Sequence, residues 1–128
     1  MDDDLRDSWE HSLHDAERRR LMDILFEAAR RGIKVCILSG DVHVSAVFSI
    51  EDNQGNRIYQ LTSSAITYNV SRMASWVLRA CAADRGETEG GHDFERLALY
   101  TKPSYALISI DPQSKEAWFK LYLSLIHI

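Results

Sequence analysis

The chain has 128 residues, of which 45% are hydrophobic and 27% are charged, enough for one folded domain with an apolar core. The net charge of −4 argues against general nucleic-acid binding, and the basic run Arg18-Arg19-Arg20 lies among acidic residues. No apolar stretch is long enough to span a membrane. The two cysteines, Cys36 and Cys81, lie far apart in apolar surroundings, which is typical of free thiols.

The first predicted element is a helix that ends at Gly32. Apolar residues at helical spacing form one stripe, Leu21, Met22, Leu25, Phe26 and Ala29. Ser12 and Asp15 have the spacing of a capping signal, and Glu27 and Arg31 lie four residues apart, as in a stabilising ion pair. The pattern therefore predicts an amphipathic helix packed on a core.

Three strands are predicted next. Residues 34–38 form a short apolar run after a helix, which indicates a strand buried on both faces. Residues 44–50 alternate in character, 52–56 form a turn, and Arg57 to Thr62 form the return strand of a hairpin. Residues 62–65 then form a loop of small residues.

The rest of the chain is predicted to contain a helix and a closing hairpin. Ser71 is placed to cap a helix that runs through Cys81, and the polar, glycine-rich residues 84–93 indicate a mobile surface loop in which His92 is solvated. Two strands around a turn at 111–115 form the hairpin, with Trp118 expected in the core.

The predicted order is therefore αβββαββ, an α/β chain of mixed α+β character. It indicates a partial two-sheet core with flanking helices. The strand at 34–38 lacks a neighbour for its outer edge, and an unpaired edge favours self-association.

Asp41 and His43 follow the buried strand with one residue between them. Ligands of α/β sheets bind beyond the carboxyl ends of strands, and a carboxylate with an imidazole can share a cation or handle protons there. Gly40 allows a sharp turn or the close approach of a substrate. The alternative is structural: Asp41 caps the turn, and His43 is a half-buried histidine with satisfied hydrogen bonds.

Three further residues are candidates for binding substrate. Ser63 and Ser64 follow the third strand, where they either hydrogen-bond a phosphate or cap a turn. Asn69 is a candidate polar residue lining the same site. None of them lies in a Gly-x-Ser-x-Gly motif, which argues against a serine hydrolase.

Four segments in order resemble the PhoD-like alkaline phosphatase family of the calcineurin-like metallophosphoesterase superfamily. The segments are Asp3-Asp4-Leu5-Arg6-Asp7-Ser8-Trp9, Ser39-Gly40-Asp41-Val42-His43-Val44, Gln60-Leu61-Thr62-Ser63-Ser64-Ala65-Ile66 and the stretch from Thr101 to Pro112. The resemblance implies a metal cluster at the strand ends, with iron and calcium as the family's metals. It also implies that Asp41 and His43 face the metals or the phosphate, and that a metal-activated water hydrolyses a phosphate ester.

The chain departs from the family pattern because the upstream Asp-x-His, Gly-Asp and Gly-Asn-His segments do not occur in it. We therefore expect residues 1–123 to be the C-terminal part of a phosphatase domain that is inactive alone, and 124–128 to be a non-native tail. Two alternatives stay open: a non-catalytic scaffold or interaction domain, or an enzyme completed by a second chain. The sequence predicts no cellular compartment.

Overall fold

The computed structural model describes residues 12–40, 44–63, 83–88 and 90–123. A short 3-10 helix (Ser12–His14) leads into helix α1 (Asp15–Arg30). The strands are β1 (Cys36–Ser39), β2 (Ser45–Glu51), β3 (Arg57–Thr62), β4 (Arg85–Glu87), β5 (Asp93–Tyr100), β6 (Ser104–Asp111) and β7 (Glu116–Leu123). Within the described residues, no helix is both long and apolar enough to cross a lipid bilayer.

The strands form two sheets. The main sheet has the order β1-β3-β2-β5-β4, in which β1 runs parallel to β3 and the other pairs are antiparallel. Strands β6 and β7 form a separate two-stranded sheet, which we call the closing hairpin. The predicted mixed α/β class is confirmed: the described residues contain one α-helix and two sheets. The helix predicted at 71–81 lies outside the described residues.

Helix α1 covers one face of the main sheet. The Phe26 side chain is 1% exposed and forms the core with Ile50 of β2 and Ile58 of β3. The predicted apolar stripe is confirmed apart from Leu21, which is exposed because it lies off the face that meets the sheet. The backbone of Gly32 has a φ of +81°, a conformation that glycine adopts without strain, and the helix ends just before it.

A tight turn joins β2 to β3, as predicted. The Asp52 carboxylate accepts hydrogen bonds from the backbone N–H groups of Gln54 and Asn56, both at 2.9 Å, and from the guanidinium of Arg30 at 3.2 Å. Burial opposes ionisation of Asp52, but these bonds and the charge of Arg30 together hold the pKa of its carboxyl below the usual value. The turn is therefore tied to helix α1.

Strand β1 differs from its prediction. It pairs with β3 alone among the described residues, and its Leu38 side chain is 59% exposed, so the strand is not buried on both faces. An edge strand has one neighbour instead of two, and helix α1 shields only the first part of it. The predicted unpaired edge lies here, and self-association through it stays a prediction.

The prediction of a mobile loop at 84–93 was wrong, and the predicted order αβββαββ lacks two strands, β4 and β5. Polar residues form this ladder because their charges pair across it: Arg85 contacts Glu95 at 2.5 Å, and Arg96 pairs with Asp84. His92 is not solvated either. Its ring is half-buried and stacks on Phe26, with centroids 4.7 Å apart.

The closing hairpin forms as predicted, with Ile108 opposite Phe119 and a turn in which Asp111 accepts a backbone hydrogen bond from Gln113 at 2.8 Å. Its side chains are largely exposed. Trp118 is 45% exposed, so its predicted place in the core was wrong, because no described element covers that face of the hairpin.

Candidate functional site

The candidate site lies at one edge of the main sheet, where β1 and β3 both end. These strands are parallel, and their register pairs Cys36 with Tyr59 at one end and Ser39 with Thr62 at the other. Their carboxyl ends therefore meet at the same edge. Gly40 and Ser63, which directly follow the two strands, lie side by side in the place where α/β folds bind ligands.

A cluster of hydroxyl groups joins the two strand ends. The hydroxyl oxygens of Ser39 and Thr62 lie 2.7 Å apart, and the Gln60 amide donates a hydrogen bond to the Ser39 hydroxyl at 3.4 Å. The backbone N–H of Ser63 donates to the Ser39 carbonyl at 3.0 Å. Thr62 is buried, so its side chain has little freedom to move. The hydroxyl cluster therefore holds the ends of β1 and β3 at a fixed separation.

The described residues do not crowd Gly40 at this edge. Its backbone φ is not positive, and an added Cβ would meet only the Ser63 carbonyl oxygen among its described neighbours, at an ordinary contact distance of 3.5 Å. Neither backbone conformation nor crowding by the described residues therefore requires a glycine here.

The free thiol of Cys36, at the start of β1, has low reactivity. Burial raises its pKa, an effect that the hydrogen bond with the backbone of Leu61 only partly offsets. A thiol with a raised pKa stays protonated at neutral pH and is a weak nucleophile. The chemistry of the site therefore does not come from Cys36.

Of the predicted site residues, the structure describes Ser63 and places it beside Gly40, at the end of β3. Asp41, His43, Ser64 and Asn69 lie outside the described residues, so their roles stay predictions. In the described part of the chain, no group of three or more His, Cys, Asp or Glu residues is placed to hold a metal ion.

Sequence reasoning missed Ser39, Gln60 and Thr62 as parts of the site edge. The signal was present for two of them, because Ser39 and Thr62 are the last residues of their strands and each precedes a candidate loop. What the local pattern did not contain was the parallel pairing that brings the two hydroxyl groups into contact.

Comparison with known protein families identifies the chain. The model of the family described as PhoD related phosphatase matches residues 1–86, which is 86 of the 128 residues and includes α1, β1, β2 and β3. The chain belongs to the PhoD-related phosphatase family. The family match therefore covers both segments that leave the candidate edge, while β5 and the closing hairpin lie beyond it. No curated protein and no solved structure gives a significant match.

Proposed function

We propose that this chain supplies one ligand-bearing turn to the active site of a metal-dependent phosphoric ester hydrolase. Membership of the PhoD-related phosphatase family supports a phosphatase-related function. The structural observation that carries the proposal is the meeting of the β1 and β3 ends, which sets the Gly40 segment beside Ser63. The substrate class is a phosphate monoester or diester.

The proposed roles follow from the donor chemistry of the residues. The Asp41 carboxylate holds a cation, and the His43 imidazole either ligates a cation or steadies the phosphoryl group; both ligand types suit iron, and carboxylate oxygen also suits calcium. Bound cations would polarise the phosphoryl oxygen and activate water. Ser39 and Thr62 keep the two strand ends at a fixed separation, so that Gly40 stays open to substrate.

Ser63, Ser64 and Asn69 are proposed to contact the phosphate. The case is strongest for Ser63, because its hydroxyl forms no hydrogen bond with any other residue in the part of the chain that the structure describes. Its backbone N–H is occupied by Ser39, which holds the residue in place while leaving the hydroxyl for a ligand. Ser64 and Asn69 follow it in the same segment of the sequence.

One carboxylate and one imidazole do not hold a pair of cations. The proposal therefore assigns the other ligands to polypeptide other than these 128 residues. We expect the 128-residue chain alone not to hydrolyse nitrophenyl phosphate. Robust turnover that disappears in Asp41→Asn would contradict this expectation and would show that the chain holds a complete site.

A titration with Mn²⁺ tests whether the turn binds a cation. Paramagnetic Mn²⁺ added to the ¹⁵N-labelled chain should broaden the amide signals of Gly40 and Ser63 before that of Gly55, which lies in the β2–β3 turn. Asp41→Ala and His43→Ala should each abolish this preference. Asp23→Ala, which removes an exposed carboxylate from helix α1, serves as the matched control and should leave it unchanged.

The rival function is a non-catalytic interaction domain. The specific observation in its favour is the exposed apolar surface of the closing hairpin, with Ile110 and Phe119 on one face. The same titration separates the two functions. Uniform broadening by Mn²⁺, or a Gly40 response that survives both substitutions, would remove the ligand role of the turn and favour the interaction domain.

A further inference from the structure

The closing hairpin presents an unpaired strand edge. Strands β6 and β7 pair only with each other among the described residues, so each has one open edge; β7 is the one whose edge carries both Glu116 and Lys120. A sheet of two strands is marginally stable by itself, and an open edge is a template for pairing with another strand. The hairpin therefore has both the need for a further strand and the free backbone groups to receive one.

The two faces of the hairpin differ in chemistry, and this restricts how a strand can pair with it. One face is apolar and carries Ala106, Ile108, Ile110, Ala117, Phe119, Leu121 and Leu123. The other face carries Glu116, Trp118, Lys120 and Tyr122 along β7. Suppose that a second β7 pairs antiparallel with the first. Directly opposite residues then lie on the same face of the sheet, so the two apolar faces coincide only when a residue, and not a peptide bond, lies at the two-fold axis.

Charge selects one of these registers. With Trp118 on the axis, Glu116 lies opposite Lys120 of the second copy, and the symmetry repeats this pair. With Lys120 on the axis, two lysines face one another, which is destabilising. With Phe119 on the axis, Glu116 and Lys120 both face uncharged residues. The first register alone compensates both charges.

Neither of these charges is compensated by another described residue of the same chain. Among the described residues, Glu116 and Lys120 form no ion pair. The residue opposite Glu116 on β6 is Asp111, a like charge, and the residue opposite Lys120 is Leu107. Both charged side chains lie exposed on the strand with the open edge. Each is available to a second copy.

We propose that two copies of this chain associate through antiparallel pairing of their β7 edges, with Trp118 on the two-fold axis and Glu116 beside Lys120 of the other copy. The product is a four-stranded sheet, which passes the minimum of three strands needed for independent stability. The surface is separate from the candidate phosphatase edge, so this inference does not rest on the proposed function.

A charge-reversal cycle tests the pairing. Sedimentation velocity of the full chain over a range of concentrations should show a monomer–dimer equilibrium. Glu116→Lys places lysines opposite one another at both symmetry-related positions and should weaken dimerisation about tenfold. Glu116→Lys combined with Lys120→Glu restores opposite charges and should restore the wild-type dissociation constant. Thermal melts of dilute monomer control for folding: neither variant should melt below the wild type, since the lysine introduced at position 116 would face Asp111 with the opposite charge.

Cysteine cross-linking tests the register. In a Cys36→Ala, Cys81→Ala background, Trp118→Cys should form a disulfide-linked dimer on mild oxidation faster than Leu107→Cys, a similarly exposed position on β6, the strand that takes no part in the proposed contact. Faster cross-linking by Phe119→Cys than by Trp118→Cys would overturn the register. A chain that stays monomeric at every concentration would overturn the proposal. Association that Glu116→Lys leaves unchanged would also overturn it, and would point to another open strand edge, such as that of β1.

Discussion

The main sheet and the closing hairpin have similar sequence patterns but opposite surroundings. In both regions apolar residues alternate along antiparallel strands. Yet Ile58 in the main sheet is fully buried, whereas Ile110 in the hairpin is 72% exposed. Alternation therefore decides which side chains share a face, but it does not decide whether that face is covered.

The difference comes from helix α1. Its Phe26 side chain lies on the main sheet and closes the core around Ile50 and Ile58. No described helix covers the hairpin, and a buried hydrogen bond from the Ser104 hydroxyl to the Ser45 hydroxyl, at 2.8 Å, links it to the main sheet. A second layer is what turns an apolar face into a core.

The largest expected effect is the difference in stability loss between replacing a buried phenylalanine and replacing an exposed one. Phe26→Ala removes the largest fully buried side chain among the described residues and its stack with His92, so we expect a loss of about 3–5 kcal/mol in the free energy of unfolding. Phe119→Ala, on the exposed face of the hairpin, should cost about 1 kcal/mol or less. Urea unfolding of dilute protein, followed by circular dichroism, measures both.

Phe26→Leu is the matched control, since it keeps most of the apolar volume and should cost less than Phe26→Ala. Equal losses for Phe26→Ala and Phe119→Ala would contradict the comparison. They would show that the hairpin is covered in solution as fully as the main sheet.

The local sequence pattern was sufficient to predict those elements whose periodicity and turn residues lie within their own stretch of sequence. Helix α1, the β2–β3 hairpin and the closing hairpin follow from periodicity and from turn residues such as Gly55. It was insufficient for β4 and for the environment of His92. His92 has polar sequence neighbours, and only tertiary packing brings it onto Phe26, which lies 66 positions earlier in the chain.

The candidate site shows the same limit. Asp41 and His43 were recognised from their spacing and from family resemblance, and their roles stay predictions. The contact between Ser39 and Thr62 depends on the parallel pairing of β1 with β3, which is a non-local property. Local spacing and family resemblance therefore indicated the candidate ligands, but not the side chains that set the distance between the strand ends.

A smaller effect compares the two aspartate turns. Asp52 and Asp111 each accept a backbone N–H two residues ahead, but only Asp52 is buried and bonded to Arg30. Asp52→Ala should therefore lower the thermal midpoint clearly more than Asp111→Ala, because it removes a buried acceptor shared by two backbone N–H groups and the Arg30 guanidinium. Equal shifts would show that the tie to helix α1 adds nothing to stability.

The Asp52 turn also predicts a pH dependence. Its pKa is lower in the folded chain than the usual 3.8, so its stabilisation is fully present above that value and is lost as the pH falls through the folded pKa. We expect the wild type to lose stability below about pH 4 more steeply than Asp52→Asn. Parallel pH profiles for the two proteins would contradict the assignment.

The smallest effect concerns the link between the two regions. The Ser104 hydroxyl donates to the Ser45 hydroxyl, and both side chains are buried, so a double-mutant cycle of Ser45→Ala and Ser104→Ala isolates their interaction. We expect a coupling of about 0.5–1.5 kcal/mol in the free energy of unfolding. Additive single losses would instead mean that backbone connection alone joins the hairpin to the main sheet. A measured coupling would show that a specific contact holds the hairpin against the main sheet. The open edge of β7 would then have a fixed orientation relative to the rest of the chain.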